Sequence, residues 1–317
     1  MPFSRLCASV GIAVSAATIL AVAPKRAEAA TWGLQLVRVS STATWTTPSP
    51  DPAGLTYDAK SKRLMVSDAE VDEGPLSKGR NLFVVVRKGH LEATRKLVKA
   101  THEPEAISWY GRQKVLFVAD DDRHAILRFG RGPDRKIGTR DDTVRKVVDT
   151  ERWGSFDPEG LTFRAHHGRV TMLIWSDAGT GSGNANSIFK VKRGRDHHFG
   201  TKDDVMSTFS TSAPEFGYTE TEGVFYDPRR KTLFIVSSEQ CAMFETTLSG
   251  TIVRSIDTSA ICAPGTATVG FSDLVIAPGT DGSSRRLYLT DHGKDNDPTQ
   301  PDNNDGKIYQ VAILRTS

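Results

Sequence analysis

The chain has 317 residues, a formal net charge of +3 and 38% hydrophobic residues, which suits one large folded domain. Its 41 Lys and Arg are interspersed with 38 Asp and Glu, so no basic stripe indicates a nucleic-acid surface. No stretch beyond residue 29 is apolar enough to span a membrane. We therefore expect a globular protein with neither a nucleic-acid partner nor a membrane partner.

The first residues have the features of a secretory signal. Arg5 precedes an apolar run over residues 7–22, and the Ala-Glu-Ala at 27–29 has the small-x-small pattern of a cleavage site. We therefore predict a signal peptide over 1–29 and a folded domain over 30–317. A membrane anchor is the alternative, but the apolar run is short for a bilayer. The expected location is secreted or extracellular, or periplasmic if the source has an outer membrane.

A single β-rich run, residues 34–39, precedes a pattern that repeats five times. Each repeat opens with a short phrase of the type Pro-Glu-Gly-Leu, and successive phrases are 52, 54, 63 and 51 residues apart. The second position of the phrase is assigned in the five repeats to Ala53, Glu105, Glu159, Glu222 and Asp273. Helical periodicity is nearly absent, so the pattern predicts an all-β repeat architecture.

Two further β-rich runs follow each opening phrase, and the first of them usually ends in a small residue and Asp, as at Asp68 and Asp120. Inner repeats show a fourth run, such as 144–148. Four strands in about fifty residues are typical of a propeller blade. The fifth repeat stops after three strands, and residues 34–39 can supply the fourth. We therefore predict a single β-propeller of five four-stranded blades, with six possible, closed by the N-terminal strand.

Acidic residues recur where strand one begins. In a propeller these positions ring one end of the central channel, so Glu105, Glu159, Glu222 and Asp273 are expected to lie close together. Repulsion among ionised carboxylates in a narrow channel is costly, and a bound cation removes that cost. Because all these ligands are oxygens, Ca²⁺ is the predicted ion. The alternative is that each acid only caps a turn or pairs with a base.

Two loops on the opposite face share the pattern G-x-D-x-x-x-G-T-x-D-D, at 132–142 and 194–204. Their outer acids are weaker candidates for Ca²⁺, and a hydrogen-bonded hairpin loop is the alternative. These candidate ligands are Asp134, Asp142, Asp196 and Asp204. A last acidic loop, 291–306, fits either a calcium-ordered loop or a flexible one. His102 and His292 fall near the acidic face and are the candidate general bases.

Removal of the predicted signal leaves two cysteines, Cys241 and Cys262. A matched pair in an oxidising compartment predicts a disulfide, although two free buried thiols remain the alternative. The spacing of 21 residues does not indicate a metal site or a redox motif.

The Pro-Glu-Gly-Leu phrases, the Ser-Asp strand ends and the closing 291–309 segment resemble a broad group of secreted bacterial propellers. This group includes phytase-like esterase domains and the gluconolactonase, or senescence-marker-protein, superfamily. In gluconolactonase-like relatives an axial metal is held by a Glu where strand one begins, and Glu105, Glu159 and Glu222 match that position. A matching axial Asn is not found, Ala53 departs from the pattern, and no lysine-rich phosphate clamp of a phytase is recognisable.

Together these features predict a Ca²⁺-dependent hydrolase of lactone or phosphoester type, acting on a small-molecule or extracellular ligand at the acidic face. The alternative is a non-catalytic binding or scaffold propeller with structural calcium. Fold analogy alone does not separate the two, and the oligomeric state is left open.

Overall fold

The computed structural model describes residues 31–71, 74–97, 100–179, 186–238, 240–262, 269–294 and 303–316. The predicted signal peptide, residues 1–29, lies outside the described residues, as does the middle of the last acidic loop, 295–302. Within the described ranges, no helix has the length and apolar character needed to cross a membrane.

The described chain is all-β, with twenty strands and two short 3₁₀ turns, Thr42–Thr44 and Glu151–Trp153. The first strand, β1, is Trp32–Ser41. Blade 1 consists of β2 (Pro52–Asp58), β3 (Arg63–Asp68), β4 (Leu82–Val86) and β5 (Leu91–Arg95). Blade 2 consists of β6 (Ala106–Tyr110), β7 (Val115–Asp120), β8 (Ala125–Gly130) and β9 (Thr143–Asp149). Blade 3 consists of β10 (Pro158–His166), β11 (Arg169–Asp177), β12 (Ser187–Lys192) and β13 (Val205–Ser210).

Blade 4 consists of β14 (Val224–Asp227), β15 (Thr232–Ser237), β16 (Ala242–Thr247) and β17 (Ile252–Asp257). Blade 5 consists of β18 (Phe271–Ala277), β19 (Arg286–Asp291), β20 (Lys307–Arg315) and the N-terminal β1. Each blade is a four-stranded antiparallel sheet in chain order, apart from the return of β1 to the fifth. The prediction of a five-bladed propeller is confirmed.

Closure by the N-terminal strand is also confirmed. β1 pairs antiparallel with β20, from Trp32 opposite Arg315 to Ser41 opposite Lys307, with one bulge between Leu36 and Arg38. The start of β1 also pairs in parallel with β17 of blade 4, which joins blades 4 and 5 into one eight-stranded sheet. The first strand therefore covers the outer edge of blade 5, which would otherwise be open.

Buried apolar side chains of the described chain form five clusters, one between each pair of neighbouring blades. The alternation along a strand explains this arrangement, since successive side chains point to opposite faces of a sheet. In β7, for example, Leu116 and Val118 pack toward blade 1 while Phe117 packs toward blade 3. The blades thus share their cores with both neighbours, and the ring is held together as a unit.

The repeated Gly and Ser of the sequence phrases bring the first strands of neighbouring blades close together. A Cβ on Gly160 would lie 2.4 Å from the backbone nitrogen of Val224 in the next blade, so only glycine fits there. Ser176 accepts a hydrogen bond from Gly160 N–H at 2.7 Å and donates one to the carbonyl of Glu222. This close contact fixes the backbone on either side of Glu159 and Glu222.

The Asp that ends strand two holds the loop that leads into strand one of its own blade. The Asp68 carboxylate accepts the backbone N–H of Asp51 at 3.2 Å, and Asp177 accepts that of Asp157 at 3.2 Å. In blade 5, Asp291 accepts the N–H of Gly270 at 2.9 Å. These three aspartates are therefore structural acceptors, and they position the residues at the axis.

Cys241 and Cys262 form the predicted disulfide, with their Cα atoms 5.6 Å apart. Cys241 lies in the turn between β15 and β16, and Cys262 follows β17, so the bond ties both ends of the outer hairpin of blade 4. Both residues are buried in the cluster shared with blade 5. The link therefore stabilises the blade that contacts the closing strand.

Replacing both cysteines, by Cys241→Ser and Cys262→Ser, is expected to lower the free energy of unfolding by about 3 kcal/mol, because the unfolded chain regains the freedom of a closed loop. Thermal melts of the double variant and of the oxidised parent measure the effect. Intact mass with and without reduction serves as the control for the bond. An unchanged melting temperature, or two free thiols in the parent, contradicts the prediction.

Candidate functional site

One cavity at the axis is lined by residues from all five blades and has a volume of about 150 Å³. Strand pairing identifies equivalent positions at the start of the first strands. In blades 1, 3 and 5 the residue paired with the Asp that ends strand two is Pro52, Pro158 and Phe271. The residues that follow this position in the five blades line the cavity together: Ala53, Glu105, Glu159, Glu222 and Ser272. The structure thus brings together three of the four predicted axial acids.

Asp273, the fourth, lies one residue farther along than the sequence alignment assigned it. It occupies the position of Gly160 in blade 3, and Ser272 takes the place of the glutamates. Its carboxylate accepts the N–H of Leu55 in blade 1 at 2.8 Å and that of Leu274 at 2.7 Å. Asp273 therefore bonds blade 5 to blade 1 across the closure and is not among the residues that line the cavity.

A second ring of acids lies two residues before the first and was missed by the sequence analysis. In four blades the residue at this position is acidic: Asp51, Glu103, Asp157 and Glu220. Asp51 and Glu220 line the cavity, as does Glu70, which follows strand two of blade 1. Comparing the repeats two residues upstream of each phrase would have revealed this ring. Six carboxyl groups in all face the cavity.

In blade 5 this position is Gly270, and an imidazole occupies the space. A Cβ on Gly270 would lie 2.0 Å from Nε2 of His292, so the ring requires glycine there. Nδ1 of His292 is 3.5 Å from Oδ1 of Asp51, across the junction of blades 5 and 1. His292, a predicted general base, therefore lies in the cavity beside a carboxylate. His102, the other candidate, is exposed and is not among the lining residues.

In the described part of the chain, no lysine or arginine is among the residues that line the cavity, so His292 is the basic side chain nearest to its carboxyl groups in that lining. Burial, and next the nearby Glu70, raise the pKa of Glu105 well above its usual value. Burial and Glu105 do the same to the pKa of Glu159. Burial and Glu220 raise the pKa of Glu222 to about 8, although His292 acts in the opposite direction. Clusters of perturbed acids of this kind occur mainly at functional sites.

Hydrogen bonds within blade 4 show how part of this charge is accommodated. The hydroxyl of Ser238 lies 2.6 Å from Oε2 of Glu220 and 3.3 Å from Oε1 of Glu222. A hydroxyl donates one proton, so it fully satisfies only one carboxylate at a time. Glu159 shares a hydrogen bond with the carboxyl group of Asp157, which requires that one of the two is protonated. In the described chain Glu105 has other acids near it and no comparable hydroxyl donor. The cavity thus presents carboxylate oxygens with unused acceptor capacity.

The donor set matches the chemistry of Ca²⁺, which prefers carboxylate and hydroxyl oxygens. In the described part of the chain, however, no three Asp, Glu, His or Cys side chains lie close enough together to hold an ion as they stand. Coordination would require the glutamate side chains to turn toward a common point. Glu105, Glu159 and Glu222 are the residues placed to do so, and the calcium site stays a prediction.

The two predicted loop sites have their carboxylates turned inward. Asp142 accepts the N–H groups of Gly138 and Thr139 at 2.6 and 3.1 Å, and Asp204 does the same for Gly200 and Thr201 at 2.7 and 3.1 Å. The repeated motif therefore forms an internally hydrogen-bonded hairpin loop, as the alternative interpretation of the sequence expects.

The first acids of the two motifs also accept backbone N–H groups of their own loops. Asp134 accepts the N–H of Lys136, and Asp196 accepts that of His198, each at 2.8 Å. Calcium at these loops stays a prediction.

Each of these loops packs on the outer strand of the preceding blade. The carbonyls of Ile137 and Gly138 accept hydrogen bonds from Arg95 and Lys96 of blade 1, at 2.9 and 3.1 Å. A groove of about 820 Å³ runs beside this contact, larger than the axial cavity but lined mainly by apolar surface. Because the axial cavity gathers residues of all five blades and acids with raised pKa values, it is a better candidate site than this groove.

Comparison with known proteins agrees with the propeller architecture. No protein-family model matches the chain, and no curated protein matches it in sequence. Among solved structures, a PQQ-bound aldose sugar dehydrogenase from Streptomyces coelicolor is similar at a TM-score of 0.50 and 11% identity, over 90% of this chain and 99% of that one.

A gluconolactonase from Xanthomonas campestris has a TM-score of 0.44 and 17% identity, over 82% of this chain and 71% of that one. A luciferin-regenerating enzyme has a TM-score of 0.49 and 11% identity, over 87% and 95% of the two chains. At such identities the likeness is one of fold. The strand order and blade arrangement define the class of the protein as a β-propeller.

Proposed function

We propose that the protein is a secreted, Ca²⁺-dependent hydrolase that acts on a lactone or a phosphoester at the axial cavity. The observation that carries the proposal is the convergence of six carboxyl groups and one imidazole on a cavity to which the described residues contribute no lysine or arginine. Such a set of oxygens favours a divalent cation over any anion. When bound, Ca²⁺ supplies a Lewis acid that polarises a substrate oxygen.

The protein's own groups have separate parts in this proposal. Glu105, Glu159 and Glu222 hold the cation with their carboxylate oxygens. Asp51 orients His292 through Nδ1 and favours the tautomer in which Nδ1 carries the proton. Nε2 would accept a proton from an attacking water, and His292 would act as the general base. Ser272, at the fifth axial position, leaves one side of the ring without a carboxylate, and substrate would approach there.

A second candidate function is a non-catalytic binding propeller with structural calcium. The small size of the cavity favours it, since sites for small-molecule ligands usually measure roughly 300–1,000 Å³. In that case Ca²⁺ stabilises the ring and no turnover depends on the acids. Both candidate functions require the cation. They differ in whether His292 acts as a general base.

The test is hydrolysis of a panel of aliphatic lactones and phosphate esters, with and without Ca²⁺. His292→Asn is expected to lower kcat by about 100-fold, because it removes a general base while leaving the cation ligands in place. His102→Asn, at the exposed histidine, is the matched control and is expected to match the parent. Elemental analysis of the purified protein reports the metal.

Each outcome separates the candidates. Calcium-dependent turnover that His292→Asn abolishes supports the hydrolase. Calcium that raises the melting temperature, with no turnover on the panel, supports the binding propeller. Absence of bound metal together with a melt that is insensitive to chelator overturns both.

A further inference from the structure

A second pocket, of about 430 Å³, lies between blades 2 and 3. The hairpin between β10 and β11 and the loop between β12 and β13 contribute to it, and both lie at the opposite end of the strands from the axial cavity. Its floor is apolar and buried, formed by Phe117, Val147 and Val170. Its walls and rim are basic, and no carboxylate is among its lining residues in the described chain.

Two of its arginines face each other within one sheet. Arg128 of β8 is paired directly opposite Arg145 of β9, and Phe117 lies next to Arg128 in the same row. Like charges directly opposite each other destabilise a sheet. Neither arginine has a carboxylate partner among the described residues. Burial, and next Arg145, lower the pKa of Arg128, as expected for a guanidinium with uncompensated charge.

Blade 4 shows what the same positions hold when they serve the fold alone. Glu245 is the fourth residue of β16, as Arg128 is of β8, and it pairs with Arg254 as Arg128 pairs with Arg145. There the facing residues form an ion pair, with Nε of Arg254 2.5 Å from Oε2 of Glu245. Blade 2 thus has two cations where blade 4 has an internal salt bridge. An anionic ligand could supply the negative charge that Glu245 supplies in blade 4.

Blade 3 adds two more arginines from the other side of the pocket, Arg169 and Arg193. Nη1 of Arg193 donates to the carbonyl of His197 at 2.9 Å, and its guanidinium lies 5.5 Å from the ring centre of Phe199. Nε of Arg193 is buried without a hydrogen-bond partner in the described chain. A guanidinium that is fixed in place and retains an unused buried donor is prepared for an acceptor.

We propose that this pocket binds a small ligand bearing a phosphate or sulfate ester. Arg128, Arg145, Arg169 and Arg193 would surround the oxyanion, because guanidinium groups match the oxygens of phosphate and sulfate and form charge-assisted hydrogen bonds with them. The half-buried ring of Phe199, which also lines the pocket, would contact the uncharged part of the ligand. The site lies apart from the axial cavity, so its existence does not depend on the proposed hydrolase.

Isothermal titration with inorganic pyrophosphate at about 0.15 M salt tests the site. The parent is expected to bind saturably. Arg128→Glu recreates the ion pair of blade 4 with Arg145, so it is expected to fold normally, to melt at or above the temperature of the ligand-free parent, and to lose binding. Arg169→Gln is expected to weaken binding about tenfold, since it removes one charge-assisted contact. Lys88→Glu, with the same charge change on blade 1, is the control.

A sugar phosphate and the matching sugar sulfate then identify which ester the pocket prefers, and binding of either supports the proposal. Absence of saturable binding by all three probes overturns it. Undiminished binding by Arg128→Glu overturns it as well, because that variant removes one of the two facing cations and engages the other, Arg145, in an ion pair. Equal losses in Arg128→Glu and Lys88→Glu would also contradict it, since they would indicate attraction by overall charge instead of a pocket.

Discussion

Deleting residues 31–41 is expected to abolish cooperative unfolding of the protein. β1 is the outer antiparallel partner of β20, with nine registered residue pairs, and it buries Leu34 in the cluster between blades 4 and 5. Its loss exposes the edge of β20 and opens the ring between these two blades. The loss of several kcal/mol is comparable with the total stability of a domain, which is about 5–15 kcal/mol.

Thermal unfolding followed by circular dichroism, together with size-exclusion chromatography, measures this effect. The expected result is a broad transition and self-association through the exposed strand edge. A variant with Leu36→Ser and Val39→Ser is the matched control, because these side chains are 44% and 48% exposed and the backbone pairing stays intact. A monomeric deletion variant that melts cooperatively at the parent temperature would show that closure does not depend on β1.

Stability of the metal-free protein is expected to fall as pH rises from about 4.5 to about 8. In the folded state the pKa of Glu222 is about 8, against an ordinary value of 4.5, so the folded protein retains a proton that the unfolded chain has released. The pKa of Asp121, raised to about 7 by burial and by Asp157, acts in the same direction. The raised pKa values of Glu105 and Glu159 add to the effect.

The expected loss is a few kcal/mol, or roughly 5–10 °C in melting temperature. Groups whose folded-state pKa is lowered, such as Asp281, lose their stabilisation only below about pH 4 and do not interfere in this range. Melting temperatures across this range in the presence of chelator give the slope. Calcium is expected to restore more stability at pH 8 than at pH 5, because the carboxylates must be ionised to bind it.

Glu222→Gln is expected to make the melting temperature less dependent on pH and to raise it in chelator near pH 8. It is also expected to reduce the increase in melting temperature that Ca²⁺ causes. Glu151→Gln, at an exposed residue of the second 3₁₀ turn, is the control for loss of one carboxylate. Two results would contradict this prediction: a melting temperature of the metal-free protein that is independent of pH, or a Glu222→Gln variant that responds to pH like the parent. Either would show that the folded protein does not raise the pKa values of the axial acids.

The sequence was sufficient for the architecture because each blade repeats the same strand pattern. The run at 34–39 could be recognised as a closing strand because the last repeat lacked a fourth strand. In the structure this strand is slightly longer, Trp32–Ser41. The disulfide followed from two cysteines alone. These features depend on spacing and alternation, which survive changes in individual side chains.

The site was less predictable because it depends on single-residue register. Blade 5 has Phe-Ser-Asp where blade 3 has Pro-Glu-Gly, so the visible acid, Asp273, was aligned with the glutamates although pairing places Ser272 there. Glu70 and Asp51 reach the cavity from segments outside the repeated phrase. The acids of the two hairpin loops pointed to a cation by composition, whereas their orientation toward backbone N–H groups depends on side-chain conformation.

The pairing of β1 with β20 also determines when the protein can complete its fold during synthesis. The chain emerges at about 5–20 residues per second, so β1 waits on the order of tens of seconds for its partner to appear. During that time the first four blades can form, but the residues of blade 5 that pack against Leu34 are not yet present. The ring therefore has two open edges. Closure is therefore the last step, and a nascent chain that stalls before Lys307–Arg315 remains an open, aggregation-prone arc.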